Sequence, residues 1–435
     1  MNNIIQKIKE SELTQRIIKM VIFGIGGAAF SKGIMMLINI IVARLVSEED
    51  YGIYSLMNNT IQTFTLFASA GIGVTLTRYV AMYKEKDKNL VGILIKTLSI
   101  FNFITSIIIA IAIFIFADKL SIILSEEVNV SAFLRITAFS VFFTSVSLLW
   151  QCVLQGFEKF KDIAIVQVIN NIIIFFISII ITKIYKIQGA IISLLILQIL
   201  NYIMMYWISE KQIKDSEITL KIKFNGVIKD AIIKYALPAL LSSIFVIPLL
   251  WFTNITFTKV HGYEEFAYFS VCLQWLTIIN YLPQQLNQAR PIYTQLYEDK
   301  NYIEFKKVIK KMITFAITFS IAISIIFCLL NQFILGSYGA NYKSVKISFI
   351  IMIFTSIVMN VQTQFGAAYQ AIGKFWTCLI LNMTWAISFL VIFFILLKYS
   401  VIGYAMTYLS SYFIYAIISY ITFYKIIKKL EKENI

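Results

Sequence analysis

Apolar residues run along the chain in long blocks, separated by short charged stretches. A helix needs roughly 20 residues to cross a hydrocarbon core about 30 Å thick, so this pattern predicts membrane-spanning helices. We predict twelve spans, near residues 21–43, 53–82, 91–116, 131–155, 163–184, 188–208, 230–258, 266–296, 307–331, 345–371, 375–398 and 401–424. An even number of spans places both ends of the chain on the same side of the membrane.

The composition agrees with a polytopic, all-α membrane protein. Apolar residues make up 59% of the chain and charged residues 14%, whereas a soluble domain has roughly 25% charged residues. The net charge of +15 is also compatible with nucleic-acid binding. Most lysines and arginines, however, lie in short loops between apolar blocks, where they orient helices among membrane lipids. We therefore expect no nucleic-acid partner.

Basic residues alternate between the two sides of the predicted topology. The N-terminus, the even-numbered loops and the C-terminus hold 25 of the 38 lysines and arginines, and the odd-numbered loops hold 8. Because cytoplasmic loops carry the excess of positive charge, both termini are predicted to be cytoplasmic in a bacterial inner membrane. Residues 1–20 are then a basic amphipathic leader on the membrane surface, and residues 425–435 are a basic tail.

The two halves of the sequence resemble each other. Residues 44–55 match 259–270, Gln155–Phe160 matches Gln370–Phe375, and Gly189 matches Gly403. The pair Lys88-Asn89 matches Lys300-Asn301, and all the offsets lie between 212 and 215.

Six spans per repeat give both halves the same orientation, which is a parallel internal repeat. We predict an N-terminal six-helix lobe over 21–208, a cytoplasmic linker over 209–229 and a C-terminal six-helix lobe over 230–424. Two matched lobes with a site between them are typical of alternating-access transporters.

The charge inside the predicted spans is wholly cationic. The five basic residues that remain after those counted with the loops and tails all fall within spans, and they are Lys32, Arg78, Lys96, Arg135 and Arg290; the acidic residues lie in loops, in tails or near span ends. Lys32 is 11 residues from either end of its span, about 16 Å at 1.5 Å per residue. A lysine at that depth usually faces a water-filled cavity or a ligand. We predict a site for an anionic substrate; the alternative is a lysine that is merely hydrated.

Two arginines occupy matched places near cytoplasmic span ends. Arg78 and Arg290 are predicted to contact phosphate, because the arginine guanidinium donates bidentate hydrogen bonds to phosphate oxygens. The alternative is that they anchor to lipid headgroups, which is also our interpretation of Lys96 and Arg135.

Polar amides form a second layer of candidate substrate-binding residues. We single out Asn39, Asn59, Gln62, Gln284 and Gln288, and note further amides at Gln274, Asn360, Gln362 and Gln364. An amide in hydrocarbon is costly unless it is hydrogen-bonded, so these side chains either line an aqueous cavity or bridge helices.

All four prolines fall in the seventh and eighth spans and are candidate hinges, because proline removes a helix hydrogen bond. They are Pro238, Pro248, Pro283 and Pro291. Candidate catalytic residues and metal ligands are lacking: His261 is the only histidine, and the four cysteines lie inside apolar blocks. We predict a non-enzymatic protein that needs no cofactor.

Three stretches carry a resemblance to a known family. They are Ala43–Tyr54, Gly71–Gly73 followed by Arg78–Ala81, and Tyr235–Pro238. These stretches resemble the first, second and seventh helices of polysaccharide-biosynthesis flippases, in the multidrug/oligosaccharidyl-lipid/polysaccharide exporter superfamily. The resemblance covers essentially the whole chain. Where relatives often carry an acidic-basic pair late in the seventh span, this chain has Asn254-Ile255.

The resemblance implies a flippase that turns an undecaprenyl-pyrophosphate-linked oligosaccharide from the inner to the outer leaflet, in an O-antigen, capsule or related pathway. It also implies a cavity lined by spans one, two, seven and eight, and a polymerase and glycosyltransferases as pathway partners. The alternatives are a lipid-linked peptidoglycan-precursor flippase, a drug/cation antiporter of the same superfamily and a polytopic polysaccharide polymerase. An antiporter would want an acidic cavity residue, and a polymerase a large outer loop.

Overall fold

The computed structural model describes residues 26, 30–69, 71–124, 128–223, 226–231, 233, 245–284, 293–294, 296–297 and 299–433. The predicted leader over 1–20 lies outside the described residues. All regular secondary structure in the described part of the chain is helical.

The helices are numbered here in chain order. They are α1 (30–45), α2 (Glu48–Ser69), α3 (Ile72–Tyr83), α4 (Lys88–Ile115), α5 (Ala117–Leu124), α6 (Ser131–Gly156), α7 (Phe160–Asp215), α8 (Gly226–Ala231), α9 (Ile247–Gln284), α10 (Tyr302–Leu329), α11 (Asn331–Tyr338), α12 (Lys346–Ala371), α13 (Phe375–Leu396) and α14 (Ser400–Glu433). Short 3₁₀ helices precede α12, over Asn341–Val345, and α14, over Leu397–Tyr399.

The protein has an all-α polytopic membrane fold, as predicted. Among the described residues, 6 continuous helical stretches are long and apolar enough to cross a membrane. Some of these stretches hold two crossings, because the backbone is non-helical at Lys186 inside α7 and at Ser400, where α14 begins. Helix α9 is likewise interrupted at Gly262. With α2 and α3 taken as one crossing, helix is present at each of the twelve predicted spans.

The chain divides into two compact units. Unit 1 comprises Met1–Val46 and Ile53–Ser243, and unit 2 comprises Ser47–Gly52 and Ile244–Ile435. Unit 1 packs α3, α4, α6 and α7 around fully buried aliphatic side chains such as Val80, Leu94 and Val153.

The core of unit 2 is rich in aromatic rings. Phe269 stacks on Tyr404 with ring centroids 4.0 Å apart, and Phe389 packs edge-on against Tyr408 at 5.0 Å. Large rings of this kind bury much apolar area with few rotatable bonds, so they stabilise a well-defined core.

The internal repeat is reproduced in the helix lengths. Helices α4 and α10 have 28 residues each, α5 and α11 have 8, and α6 and α12 have 26. Their first residues are 214 or 215 positions apart, for example Lys88 and Tyr302, or Ser131 and Lys346. Equal lengths at a constant offset show that the two halves fold by the same plan.

Two unusual turns repeat at the same offset. Lys186 has φ 50° and ψ −131°, and Ser400 has φ 49° and ψ −136°. Each turn is followed three residues later by a glycine on which a Cβ atom would collide with a carbonyl oxygen. The distances would be 2.2 Å from Gly189 to Ile181 and 2.0 Å from Gly403 to Leu396. Only glycine permits so close a helix-to-helix approach.

The helix caps correct the alignment of the two halves of the sequence at one place. Asp87 caps α4 by accepting a hydrogen bond from the Leu90 N–H, and Asn301 caps α10 by accepting one from the Glu304 N–H. Asn301 is therefore the counterpart of Asp87, at an offset of 214. The match of Lys88-Asn89 with Lys300-Asn301 is two residues out of this register, because it followed residue identity and not the capping role.

The second predicted span is not one helix. Gly71 adopts a left-handed conformation, with φ 69°, and separates α2 from α3. A glycine adopts this conformation without steric cost, so the break is encoded by the residue itself. Helix α7 continues to Asp215, into the stretch that was predicted as a linker.

Candidate functional site

Helix α1 carries the central candidate, Lys32, whose side chain is exposed on the surface of unit 1. The adjacent Ser31 is buried and fixes the helix to α7: the Asn171 amide donates to the Ser31 carbonyl at 3.0 Å and to its hydroxyl. Further along, the Tyr54 hydroxyl of α2 donates to the Asn39 amide oxygen at 3.1 Å. Hydrogen bonds at Ser31 and at Asn39 thus set the position of α1.

Lys32 lies at the depth of two other candidates. Helices α1 and α2 are consecutive, run in opposite directions and meet at Asn39 and Tyr54. A residue seven positions before Asn39 on α1 and a residue seven positions after Tyr54 on α2 therefore lie at the same depth, about 10 Å from this contact. Lys32 is at that level on α1, and Asn59 and Gln62, about five and eight residues beyond Tyr54, lie on either side of that level on α2. Gln62 is exposed and Asn59 half-buried.

The remaining candidates are more scattered. Arg78 is exposed on α3, and Gln284 is exposed at the last residue of α9. Gln288 and Arg290 lie outside the described residues. The matched positions predicted for Arg78 and Arg290 rest on the offset of 212, whereas the helices that follow them are related by 214.

Two of the four candidate hinge prolines lie among the described residues. Pro248 is the second residue of α9, where a helix loses no internal hydrogen bond to proline. Pro283 is buried near the C-terminal end of the same helix. Pro238 and Pro291 lie outside the described residues.

Several of the predicted amides bridge helices. Asn360 of α12 donates to the Ser320 hydroxyl of α10 at 2.8 Å, and Gln274 of α9 accepts from the Tyr338 hydroxyl at 3.0 Å. The Ser320–Asn360 bridge has a counterpart in unit 1, where the Ser106 hydroxyl donates to Ser145 at 2.8 Å. For these side chains the helix-bridging alternative is correct.

Asn254 also has a structural role. It is 1% exposed, and its amide oxygen accepts a hydrogen bond of 2.6 Å from the Tyr404 hydroxyl. Tyr404 in turn contacts the Thr253 hydroxyl at 2.8 Å. The position at which the resemblance implies an acidic-basic pair therefore holds a neutral hydrogen-bond network in this chain.

Sequence reasoning missed the residues that hold α1. Asn170 and Asn171 are consecutive amides inside the fifth predicted span; Asn170 bonds Asn201 at 2.8 Å, and Asn171 bonds Ser31. Their occurrence in an apolar block was the same signal that selected the amides of the other spans.

An apolar groove of about 550 Å³ lies between α12 and α14 in unit 2. Its lining consists of Phe354, Ile357, Val358, Leu409, Ser410, Phe413 and Ile414. None of the predicted site residues that the structure describes borders it.

Comparison with known proteins places the chain in a family. The family model described as "polysaccharide biosynthesis protein" matches residues 17–282, which is more than half of the chain. The chain belongs to this family. No curated protein sequence matches it.

Solved structures of transporters share the fold of this family member. An inward-facing multidrug resistance MATE family transporter of the MOP superfamily is 15% identical, with a TM-score of 0.76, over 92% of this chain and 96% of that one. A multidrug resistance MATE family transporter of the MOP superfamily in an outward-facing conformation is 16% identical, with a TM-score of 0.69, over 96% of each chain. A MOP superfamily transporter from Pyrococcus furiosus is 16% identical, with a TM-score of 0.69, over 95% of this chain and 96% of that one. It is described as having a binding pocket of reverse polarity that suggests a different function.

These findings confirm the predicted resemblance. The protein is a multi-pass membrane protein of the polysaccharide biosynthesis family, and it shares the fold of MOP superfamily transporters.

Proposed function

We propose that this protein is a flippase for a lipid-linked oligosaccharide whose anionic headgroup is a pyrophosphate. It moves the headgroup from the inner to the outer leaflet of the bacterial cytoplasmic membrane by alternating access. The lipid is undecaprenyl-linked, and the oligosaccharide belongs to an O-antigen, capsule or related surface polysaccharide. The functional lobes are 21–208 and 230–424, with 209–229 as the linker and both termini cytoplasmic.

The exposure of the Lys32 side chain is the observation on which the proposal rests. Its side chain is exposed in the middle of a predicted span, at the depth of Asn59 and Gln62. Lysine offers three donors and a full positive charge, and the amides offer further donors, so together they suit phosphate and sugar oxygens. Asn39 keeps its amide N–H groups for the same purpose, because Tyr54 occupies only its oxygen.

The other candidates have distinct proposed roles. Arg78 and Arg290 contact phosphate at the cytoplasmic mouth, and Gln284 and Gln288 bind sugar hydroxyls. The four prolines act as hinges during the change of access. A polymerase and glycosyltransferases of the same pathway supply and consume the substrate.

Complementation tests this proposal. A strain that lacks its own flippase but makes the matching lipid-linked oligosaccharide would receive wild type, Lys32→Ala or Lys32→Arg at equal membrane levels. We expect rescue by wild type and by Lys32→Arg. Lys32→Ala should lose about 10- to 100-fold of the transport, because a hydrogen bond to a charged group contributes about 1.5–3 kcal/mol.

Lys96→Ala is the matched control, since Lys96 is also a lysine inside a predicted span and is interpreted as a lipid anchor. It should retain rescue. Equal rescue by Lys32→Ala and wild type would contradict a binding role for Lys32, and no rescue by wild type would contradict the flippase proposal itself.

A drug/cation antiporter is the second candidate function, because the solved structures with this fold include multidrug transporters. It predicts that expression raises resistance to cationic drugs and that Lys32→Ala does not lower it. A peptidoglycan-precursor flippase would instead rescue a strain that lacks that activity.

A further inference from the structure

Seven lysines lie together at one end of unit 2, and none of them is a candidate substrate-binding residue. Four belong to the first turns of α10 and three to the last turns of α14. They are Lys306, Lys307, Lys310, Lys311, Lys425, Lys428 and Lys429, and all seven are exposed. We call this group the lysine surface.

Aromatic rings hold the two helices together beside the lysine surface. The buried rings of Phe305 and Phe423 stack with centroids 6.3 Å apart. The Lys306 ammonium lies over the ring of Tyr424, 5.6 Å from its centroid, and Lys425 is the next residue of α14. Lysines that are remote in sequence are thus brought into one surface.

The lysine surface lies where the uncharged parts of both helices end. Residues 312–329 of α10 and 400–424 of α14 contain no charged side chain. On α10, Ile325 follows Lys307 by 18 residues, which is five helical turns, so the two side chains lie on the same side of the helix. Ile325 is exposed. An exposed apolar face of a membrane span contacts lipid, so the lysines lie at the level of the lipid headgroups.

The matching face of unit 1 is covered by the chain itself. At the offset of 214 that relates α4 to α10, Gly92 and Thr97 correspond to the first and last of the four α10 lysines. A Cβ atom on Gly92 would lie 2.1 Å from the Thr219 carbonyl oxygen, and the Lys223 N–H donates to the Thr97 hydroxyl at 3.3 Å. The repeated fold therefore does not require lysines on this face, and in unit 2 the face is accessible to a partner from outside the chain.

We propose that the lysine surface binds anionic phospholipid headgroups of the predicted cytoplasmic leaflet, and that it prefers a headgroup with two phosphates to a headgroup with one. Charge complementarity supports this partner: residues 302–311 and 424–430 hold seven lysines and one acidic residue, Glu304. Glu304 lies 3.6 Å from Lys307 and can neutralise only one of the seven charges.

Clusters of basic residues at the cytoplasmic ends of spans attract anionic lipids, and basic pockets between spans bind headgroups with several phosphates. The lysines come from two adjoining helices, so each helix can hold one phosphate, while the acyl chains lie along the exposed apolar face of α10. This lipid is a partner of the protein in the membrane, and its binding does not depend on which substrate is transported.

Displacement of a fluorescent lipid from purified full-length protein in a neutral detergent tests this surface. Phosphatidylglycerol labelled on its acyl chain would be bound, and its fluorescence anisotropy followed as unlabelled phosphatidylglycerol, diphosphatidylglycerol or phosphatidylcholine is added. We expect diphosphatidylglycerol to displace it best and the neutral phosphatidylcholine worst. Raising the salt from about 0.1 to about 1 M should weaken binding, because the Debye length falls from about 10 to about 3 Å.

A triple variant, Lys310→Gln with Lys311→Gln and Lys428→Gln, should fold normally, because all three side chains are exposed. It should bind the labelled lipid about 10- to 100-fold more weakly, since each lysine near a lipid surface contributes a factor of about five. The matched control combines Lys343→Gln, Lys346→Gln and Lys398→Gln, which removes three exposed lysines from the opposite ends of the crossings. It should change the affinity less than about twofold.

Unchanged affinity in the first triple variant would overturn the proposal. Equal losses in the two triple variants would also overturn it, because the total charge of the protein and not the lysine surface would then attract the lipid. Displacement by phosphatidylcholine as effective as that by phosphatidylglycerol would show that the headgroup charge is not recognised, and this too would contradict the proposal.

Discussion

At the level of single residues, the position of Lys32 depends on an amide that is remote in sequence. Asn171 bonds both the carbonyl and the hydroxyl of Ser31, so it fixes the rotation of α1 at the residue before Lys32. This makes Asn171 a positioning residue for the proposed binding of the headgroup.

Asn171→Ala should therefore lower transport several-fold and the free energy of unfolding by about 1–2 kcal/mol. Transport in the complementation strain and the thermal midpoint of the purified variant would measure the two effects. Asn170→Ala is the matched control, because Asn170 bonds Asn201 and not α1. It should lose similar stability but little transport; equal losses of transport would contradict a positioning role.

The sequence was sufficient to single out Lys32 but not its supports. A lysine eleven residues from each span end is conspicuous without any structure, because burying a charge in hydrocarbon is costly. The Asn171–Ser31 contact joins residues 140 positions apart, and no local pattern indicates which of many span amides will meet. Gln62 and Asn360 look alike in sequence, yet one is exposed and the other bridges two helices.

At the level of elements, one tight turn in each half of the chain, at Lys186 and at Ser400, joins two consecutive crossings. Gly189 and Gly403 allow the helices to approach until a Cβ atom would lie about 2 Å from a carbonyl oxygen. Neither contact can relax easily, since the colliding atom belongs to the backbone.

Gly189→Ala and Gly403→Ala should each cost about 3 kcal/mol or more and lower the amount of folded protein in the membrane. Size-exclusion profiles after heating would measure the loss. Gly366→Ala is the control, because nothing lies within 4 Å of a Cβ atom there, and alanine in a helix should be neutral or slightly stabilising. If neither Gly189→Ala nor Gly403→Ala lowered stability, the close approach of the helices would be contradicted.

Replacing the residues at which these turns begin should have the opposite effect and raise stability. Lys186 and Ser400 occupy a region of φ and ψ that favours glycine. Lys186→Gly should therefore raise the free energy of unfolding by about 1 kcal/mol. Ser400→Gly should gain less, because the Ser400 hydroxyl donates to Glu265. Thermal midpoints of both variants would test the ranking, and destabilisation by Lys186→Gly would contradict the strained turn.

Sequence patterns located these turns better than they located the breaks within spans. The matched glycines and the short polar gaps between apolar blocks placed the turns correctly. Gly71 stood inside an uninterrupted apolar block, and hydropathy alone could not show that it divides α2 from α3. Residue identity also set the register before α10 two positions off, because only the folded cap shows that Asn301 plays the part of Asp87.

At the level of the whole molecule, the alternation of basic loops predicts the topology. Lys374 and Lys343 are both exposed, in turns on opposite sides of one crossing. In a background with the native cysteines replaced, Lys374→Cys should react with a membrane-impermeant thiol reagent only after the cells are opened. Lys343→Cys should react in intact cells. Labelling of both from the same side would contradict the predicted topology.

The repeat explains why so much of the architecture could be predicted. Each half buries similar apolar faces with similar helices. The number of spans predicted in one half therefore had to agree with the number predicted in the other. The substrate could not be predicted in the same way, because it depends on a few side chains and not on the repeat.

Reconstituted transport tests the central claim most directly. Proteoliposomes with the purified protein would receive an undecaprenyl-pyrophosphate-linked oligosaccharide, and its movement between leaflets would be followed by an enzyme that reaches only the outer leaflet. We predict movement by wild type and Lys32→Arg at similar rates, and about 10- to 100-fold slower movement by Lys32→Ala. Movement at the same rate in protein-free liposomes, or in Lys32→Ala, would contradict a flippase that binds its substrate through Lys32.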